Sequence, residues 1–412
     1  MNKIFVQIAV YRDPELVKTI DDCISKCSDP SRLTFGVVWQ HNPADLFDNE
    51  FHKYLNDARF TITDVLYNES KGMCWARSLT QQMYQGETYT LQIDSHHRFA
   101  KNWDIFLIDC LSMVNSTKPL MTGYCRAYEA DNSQYYLSEE PLQMIPTKFS
   151  AHGTIPFIGT NFNIPNQLTF EKPVPARFVS GHFFFTLGKH CTEYKYDPDL
   201  YFAGDEISLS IRSYTLGYDL YHPHKNVIWH DYCSYKRDKH WSDHVTGEDV
   251  VKPWYELDTI SKKRLRQLLQ MEDNGFDLGE YGLGTTRSFE EYEAYAGIDF
   301  KLRKLHGDAL IGLVPPTLNL HDKSWITNPS EFTLPLSDLI KQIILNDVVQ
   351  YYVGFDDYNN HAVYSERILF NDMAQIKGTK TFVFASSKTP VKAVIFGINK
   401  EDKWSDRVEY LL

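Results

Sequence analysis

Apolar strands alternate with helices over the first 245 residues, and this alternation constrains the fold more than any other feature of the sequence. The periodicity predicts strands at residues 4–11, 33–40, 60–66, 89–93 and 120–124, with helices at 13–27, 72–84 and 103–114 between them. Strands that are joined through helices pair in a parallel sheet, and the helices cover its faces. We therefore predict a Rossmann-like α/β fold, with helices on both faces of a mainly parallel sheet.

The pattern changes farther along the chain. Residues 251–311 are predicted as a helical extension of an α/β domain at 1–250, because a charged amphipathic helix spans 254–272. Four strands separated by turn residues then follow, at 348–355, 362–370, 381–385 and 391–398. They predict a separate all-β module at 312–412.

The charge balance and the cysteines limit which binding partners and which cellular compartment we expect for this protein. Lys and Arg number 42 against 54 Asp and Glu, a net charge of −12, whereas a protein that wraps nucleic acid carries the opposite sign. The first residues show no secretory signal, and no run of about 18 apolar residues predicts a transmembrane segment. Seven cysteines without paired metal spacing are expected as reduced thiols. We therefore expect a cytoplasmic protein without a nucleic-acid partner.

One segment carries a metal-binding pattern. The strand at 89–93 runs directly into Asp94-Ser95-His96-His97. In extended backbone, residues i and i+2 project to the same side, so Asp94 and His96 can reach one ion while His97 faces away. A carboxylate beside an imidazole suits a divalent metal, and α/β sheets place ligands at the carboxyl ends of parallel strands. Taken alone, the pair is equally compatible with an ordinary surface loop.

Further motifs surround this pair. Gly-x-x-x-Ala-Arg occupies residues 72–77, Ala-Gly-Asp-Glu precedes a helix at 203–206, and a late strand ends at His230. With Leu-Gln-Ile-Asp-Ser-His-x-Arg-Phe-x-x-x-Trp-Asp at 91–104, these motifs resemble the hydroxyproline α-N-acetylglucosaminyltransferase-like family, which are retaining GT-A glycosyltransferases that use nucleotide sugars. The mucin-type polypeptide N-acetylgalactosaminyltransferases are similar more distantly. The resemblance covers residues 3 to about 300 and implies a GT-A nucleotide-sugar-binding catalytic domain at 1–250.

The resemblance implies a metal site. Asp94 and His96 correspond to the metal-binding pair, and His230 corresponds to a third ligand. From the sequence, His222 and His224 remain alternatives, and a core histidine is the competing explanation for His230. Two imidazoles and a carboxylate leave positions for pyrophosphate oxygens, and this set fits Mn²⁺ (or Mg²⁺) better than a closed zinc site.

The resemblance also implies residues that contact the donor. Asp205 and Glu206 correspond to the Glu and Asn of a Gly-Gly-Glu-Asn segment that holds donor-sugar hydroxyls, so they join Asp94 and His96 as expected catalytic residues. Acidic residues in the first turn of a helix are the ordinary alternative. The residues expected to bind the nucleotide or the sugar are Ala9, Val10, Tyr11, Arg12, Arg77, Ser95 and Gly181. A surface ion pair would equally explain Arg77, and core packing would explain Tyr11.

Together these implications give the functional expectation. We expect a metal-dependent retaining transferase that moves GlcNAc from UDP-GlcNAc to a hydroxyl of a protein or glycan acceptor. Because Ala-Gly-Asp-Glu replaces Gly-Gly-Glu-Asn, UDP-GalNAc is the alternative donor, and a glycan-binding protein without turnover is the alternative from another class. No nucleophile is assigned, since the resemblance implies front-face attack assisted by the leaving phosphate. The module at 312–412 could bind acceptor, form a homo-oligomer or cover an apolar face.

Overall fold

Contacts within the chain divide it into two compact units, each assembled from separate stretches. Unit 1 consists of Met1–Ile145, Phe157–Gly297 and Asp308–Leu320, and unit 2 consists of Pro146–Pro156, Ile298–Gly307 and His321–Leu412. The computed structural model describes residues 2–128, 139–150, 153–162, 171–233, 237–245, 250, 252–317, 325–326, 330–384, 389–401 and 403–412. The assignment of domains to 1–250, 251–311 and 312–412 stays a prediction.

Thirteen strands lie in the described chain up to residue 230. They are β1 (Ile4–Tyr11), β2 (Leu33–His41), β3 (Phe60–Leu66), β4 (Tyr89–Ile93), β5 (His97–Phe99), β6 (Pro119–Thr122), β7 (Arg126–Ala127), β8 (Leu142–Pro146), β9 (Phe157–Asn161), β10 (Val174–Pro175), β11 (Phe183–Leu187), β12 (Asp219–His222) and β13 (Ile228–His230). The helices up to residue 310 are α1 (Leu16–Lys26), α2 (Met73–Gln82), α3 (Trp103–Met113), α4 (His190–Glu193), α5 (Asp205–Thr215), α6 (His240–Asp243), α7 (Trp254–Leu268), α8 (Phe289–Ala296) and α9 (Gly307–Leu310).

An eight-stranded sheet forms the centre of unit 1, in the order β10-β12-β6-β11-β4-β1-β2-β3. Parallel pairing joins β4 to β1, β1 to β2, β2 to β3 and β12 to β6. Strand β11 runs antiparallel to both of its neighbours, β4 and β6, and β10 is antiparallel to β12. The predicted mainly parallel sheet is confirmed, with β11 as an antiparallel strand inside it.

Helices cover both faces of this sheet. Alternate residues of β1, among them Ile4 and Val10, pack in one core with α1 and α3. Phe5, which lies between them in sequence, faces the opposite side and packs in a second core with Ala76 of α2 and with Met83, which follows that helix. Since side chains alternate across a strand, the two cores lie on opposite faces. This arrangement confirms the predicted fold class.

A second, three-stranded sheet in unit 1 brings distant segments together. Strand β13 pairs antiparallel with β5 and parallel with β7, and the register places His230 opposite His97. The N–H of Asp231 also donates to the carbonyl oxygen of His96 at 3.0 Å. The end of β13 is therefore held beside the turn that follows β4.

Unit 2 is rich in strands. These are β14 (Ile298–Asp299), β15 (Lys304–His306), β16 (Trp325–Ile326), β17 (Ser330–Leu334), β18 (Val348–Asp356), β19 (Ala362–Leu369), β20 (Lys380–Phe384), β21 (Lys392–Asn399) and β22 (Val408–Leu411), with helices α10 (Leu336–Ile340) and α11 (Phe370–Gln375). An antiparallel sheet in the order β19-β18-β21-β22 covers a core that contains Val353, Phe355 and Ile395. The predicted β-rich module is confirmed.

Two further properties concern the whole described chain. All seven cysteines are free; six are buried and Cys233 is partly exposed. In the part of the chain that the structure describes, every helix is too short or too polar to span a bilayer. Part of the stretch 129–177 lies outside the described residues, and the rest contains β8, β9 and β10.

Candidate active site

A cavity of about 440 Å³ opens where strands β1 and β4 end. Ala9, Tyr11 and Asp94 line it from these strand ends. Residues 237–241, which follow β13 in the sequence, also line it. A volume of this size lies within the range of about 300–1,000 Å³ that small-molecule sites occupy. Its position agrees with the rule that open α/β sheets bind ligands beyond the carboxyl ends of their strands.

Three side chains meet in the wall of this cavity. Asp94, His96 and His230 each offer one ligand atom, and these atoms lie within 4.8 Å of one another. The Oδ2 atom of Asp94 is 3.5 Å from Nε2 of His230 and 3.9 Å from Nε2 of His96. The turn after β4 supplies the first two groups, and the pairing of β13 with β5 supplies the third.

The chemistry of these groups fits a divalent metal ion. His230 is buried, and neither of its ring nitrogens has a hydrogen-bond partner among the described residues. Burial lowers the pKa of His230 to about 4, so the ring is neutral at pH 7 and can donate a lone pair. Burial alone would raise the pKa of Asp94, but the contact with His230 and the charge of Arg77 hold it well below its usual range.

Arg77 lies in the interior beside this site. Its side chain on α2 is 3% exposed. One terminal nitrogen is 2.9 Å from Oδ1 of Asp94, and the other is 2.5 Å from Oδ2 of Asp205. The guanidinium also donates to the hydroxyl of Tyr196 at 3.4 Å. Arg77 therefore ties the end of β4 to the start of α5, and it is not a surface ion pair.

Asp205 and Glu206 begin helix α5 behind the cavity wall rather than in it. Asp205 is 2% exposed, and burial raises its pKa. Glu206 accepts hydrogen bonds from the N–H of Gly181 at 3.1 Å and from the hydroxyl of Tyr124 at 2.9 Å, and burial raises its pKa to about 7. A Cβ on Gly181 would lie 2.7 Å from Oδ2 of Asp205, so the glycine allows the loop to approach α5 closely.

The four site residues expected at the end of β1, residues 9–12, have different surroundings in the structure. Ala9 and Tyr11 line the cavity, whereas the side chain of Val10 packs in the core on the α1 and α3 face. The Tyr11 hydroxyl donates to Asp243 at 2.7 Å. The guanidinium of Arg12 pairs with three carboxylates, those of Asp45, Asp238 and Asp243.

The other histidines considered from the sequence lie outside the three-residue group. His97 is fully buried, with its ring 4.8 Å from that of His230. The Nδ1 atom of His222 is 2.9 Å from the carbonyl oxygen of Thr122, and the ring of His224 packs against Phe106. Geometry therefore favours His230 over His222 and His224 as the partner of Asp94 and His96.

Three residues that line the cavity, Asp13, Arg237 and Lys239, were not predicted as site residues from the sequence. Asp13 accepts hydrogen bonds from Ser95 at 2.6 Å and His96 at 2.7 Å, although its position before a helix suggested only a helix start. Arg237 pairs with Asp231 at 3.2 Å. No carboxylate of the described residues lies within ion-pair distance of Lys239, and burial together with Arg237 lowers its pKa to about 8. The basic run after His230 was the available signal.

Comparisons with known proteins place the chain in a family. The model of the glycosyltransferase (GlcNAc) family matches residues 3–50 and 47–302, whereas no curated protein matches the sequence. The structure of GalNAc-T7 with UDP, GalNAc and Mn²⁺ is 14% identical with a TM-score of 0.48, covering 71% of this chain and 50% of that chain. Residues 1–349 of S. aureus TarS in complex with UDP-GlcNAc are 13% identical with a TM-score of 0.37, covering 62% of this chain and 64% of that one.

The chain thus spans about half the length of GalNAc-T7. Because both TM-scores lie below 0.5, the assignment rests on the sequence match and not on these two structures. The match extends over most of the chain and confirms the resemblance expected from the motifs. This protein belongs to the glycosyltransferase (GlcNAc) family.

Proposed function

We propose that this protein is a metal-dependent retaining glycosyltransferase that moves GlcNAc from UDP-GlcNAc to a hydroxyl of a protein or glycan acceptor. One observation carries the proposal: Asp94, His96 and His230 converge within 4.8 Å in the wall of a cavity at the strand ends of an α/β sheet. The family description supports GlcNAc as the sugar. The donor, the acceptor and the stereochemistry are parts of the proposal.

The three residues would hold Mn²⁺ or Mg²⁺. A bound ion of this kind neutralises the negative charge that develops on the departing diphosphate. In the chain itself, Asp94 would supply the anionic ligand, and His96 and His230 would each supply a ring nitrogen. Arg77 orients Asp94, because it occupies the Oδ1 atom and leaves Oδ2 toward the histidines.

Other residues of the cavity fit the nucleotide. Ala9 and Tyr11 offer a small residue and an aromatic ring at the end of β1, where a uracil would stack. Lys239 is a cation without a carboxylate partner among the described residues, so its ammonium group is available to diphosphate oxygens. Asp205 and Glu206 lie behind the wall, where they would position Arg77 and the Gly181 loop around the donor sugar.

Two alternatives remain within reach of the same experiment. UDP-GalNAc could replace UDP-GlcNAc, because Ala-Gly-Asp-Glu departs from the segment that holds the sugar in the distant relatives. A glycan-binding protein without turnover could keep the fold. The cytoplasmic location, a homo-oligomer formed through residues 312–412 and a role of that module in acceptor binding stay predictions.

The test is release of UDP from a panel of UDP-sugars with Mn²⁺, with and without EDTA. We expect EDTA-sensitive release that is selective for UDP-GlcNAc, and loss of release in Asp94→Asn. The matched control is Asp64→Asn, which also removes a carboxylate 2.7 Å from a histidine, His41, but on the exposed side of β3. Selectivity for UDP-GalNAc would reassign the donor. Binding of a glycan without any release of UDP would favour the non-catalytic alternative, and full activity of Asp94→Asn would refute the metal site.

A further inference from the structure

Asp13 is a buried carboxylate whose two oxygens have different partners. It lies between β1 and α1 and is 3% exposed. Its Oδ1 atom accepts the N–H of Glu15 at 2.9 Å. Its Oδ2 atom lies 2.7 Å from Nδ1 of His96 and accepts the hydroxyl of Ser95 at 2.6 Å.

The contact with Oδ2 bears on which nitrogen of a neutral His96 ring would carry the proton. A neutral imidazole has one N–H, and an ionised carboxylate can only accept. A neutral His96 ring that donates to Asp13 therefore carries its proton on Nδ1. The other nitrogen, Nε2, is then unprotonated, and it is the one that faces Oδ2 of Asp94 at 3.9 Å. Only an unprotonated nitrogen can bind a metal ion.

A role limited to the helix terminus accounts for the contact of Oδ1 but not for the two contacts of Oδ2. The N-terminal turn of α1 uses Oδ1 and the main-chain oxygen of Asp13, which accepts the N–H of Leu16 at 3.3 Å. Neither contact requires Oδ2 to face His96. At the comparable turn of Asp29, Oδ1 accepts the N–H and the hydroxyl of Ser31 at the surface, at 3.1 and 2.6 Å.

We propose that Asp13 is the positioning residue of the metal site: it orients the ring of His96 and fixes its proton on Nδ1, so that Nε2 is presented to the ion. This inference rests on the proposed function, since it takes Asp94, His96 and His230 as the ligands. A carboxylate that holds a metal-binding histidine through its second nitrogen typically contributes about 10–100-fold to metal affinity.

The test compares Asp13→Asn with Asp29→Asn in the full chain. An asparagine at 13 keeps an oxygen for the Glu15 N–H and turns its NH₂ group toward His96, which requires Nδ1 to become the acceptor. We expect Mn²⁺ affinity, measured by calorimetry without donor, to fall about 10–100-fold in Asp13→Asn and to stay unchanged in Asp29→Asn. Nitrogen chemical shifts of the metal-free protein should show the His96 proton on Nδ1 in the unmodified chain and on Nε2 in Asp13→Asn.

The outcomes separate this inference from the proposed function. If the unmodified chain does not bind Mn²⁺, the proposed metal site fails, and the proton position on His96 still decides the role of Asp13. Unchanged affinity and an unchanged proton position in Asp13→Asn would overturn the inference. If Asp13→Asn does not fold, Asp13→Ser replaces it, because serine also caps helices but is too short to reach His96. Unaltered Mn²⁺ binding in a folded Asp13→Ser would likewise overturn it.

Discussion

Replacing Arg77 by methionine should expose how much the interior around the site depends on one cation. Arg77 is 3% exposed and bridges Asp94 and Asp205. Asp205 is 2% exposed, so Arg77→Met leaves its charge buried without an ionic partner. Asp94 is 27% exposed and keeps its contact with His230, so the loss of its ion pair with Arg77 destabilises the protein less. We therefore attribute most of the expected effect to Asp205.

The magnitude can be bounded in two ways. Removing one partner of a buried ion pair costs about 3–5 kcal/mol, because the other charge stays buried. Asp205 can avoid that penalty by taking up a proton, which at pH 7 costs about 4.4 kcal/mol for a carboxyl of ordinary pKa 3.8, at about 1.36 kcal/mol per pH unit. At pH 5 the same step costs about 1.6 kcal/mol. Since burial already raises the pKa of Asp205 in the unmodified protein, both values are upper bounds.

The sign of the pH dependence follows from linkage. In Arg77→Met the folded chain holds a proton on Asp205 that the unfolded chain releases above its ordinary pKa, so stability falls as the pH rises. Urea unfolding of the full chain at pH 7 and pH 5 measures this. We expect a loss of about 3–4 kcal/mol at pH 7 and less than about 2 kcal/mol at pH 5.

The double variant Arg77→Met/Asp205→Asn is the matched control. It removes the titratable group, so its own free energy of unfolding should change much less between the two pH values than that of Arg77→Met. A loss in Arg77→Met that does not change with pH would refute the reasoning. An equal pH dependence in the double variant would also refute it, because Asp205 could then not be its source.

Three further changes test neighbouring residues. Burial raises the pKa of Glu206 to about 7 from its ordinary 4.5, so the free energy of unfolding should fall as the pH rises through this interval. The variant Glu206→Gln should remove up to about 3 kcal/mol of that fall between pH 4.5 and pH 8, measured by urea unfolding. Gly181→Ala places a Cβ 2.7 Å from Asp205 and should lower the free energy of unfolding by about 1–3 kcal/mol, seen as a lower melting temperature. Lys239→Gln should raise the donor KM about tenfold and leave Mn²⁺ affinity unchanged in calorimetry.

Local patterning predicted the strands of the α/β sheet well. The predicted bounds of β1, β3 and β4 agree with the structure, because each strand is a short run with clear polar or turn residues at its ends. The direction of β11 was beyond this reasoning, since strand periodicity carries no information about direction. Strand β11 begins only at Phe183, because residues 178–182 form a buried connection that approaches α5 at Gly181.

In unit 2, local patterning likewise predicted the longer strands and missed a short one. Strands β18, β19, β20 and β21 were predicted to within one residue at each end. Phe370, expected as the end of a strand, instead begins α11. The edge strand β22 was missed because it has four residues, of which only Val408 is buried. Short elements at an edge leave too few alternating positions for a pattern to form.

For the candidate site, the spacing of residues in the sequence predicted only the side chains that are close to each other in sequence. Asp94 and His96 followed from the two-residue period of extended backbone, whereas His230 needed the family resemblance because its partner strand β5 lies more than a hundred residues away. The interior position of Arg77 had no local signal, since its partners Asp94 and Asp205 are 17 and 128 residues distant. Contacts of this kind are set by how the sheet brings segments together.

In the proposed site, the arrangement of the two Asp94 oxygens would leave room for both an ion and a substrate. Arg77 occupies Oδ1 at 2.9 Å, and Oδ2 faces the Nε2 atoms of His230 and His96. The carboxylate can therefore offer one oxygen and not two. With two imidazoles, the chain would supply three ligands, and an octahedral ion would keep three positions for diphosphate oxygens and water. A carboxylate free to bind through both oxygens would fill one of them, so in the proposed site Arg77 would keep that position open.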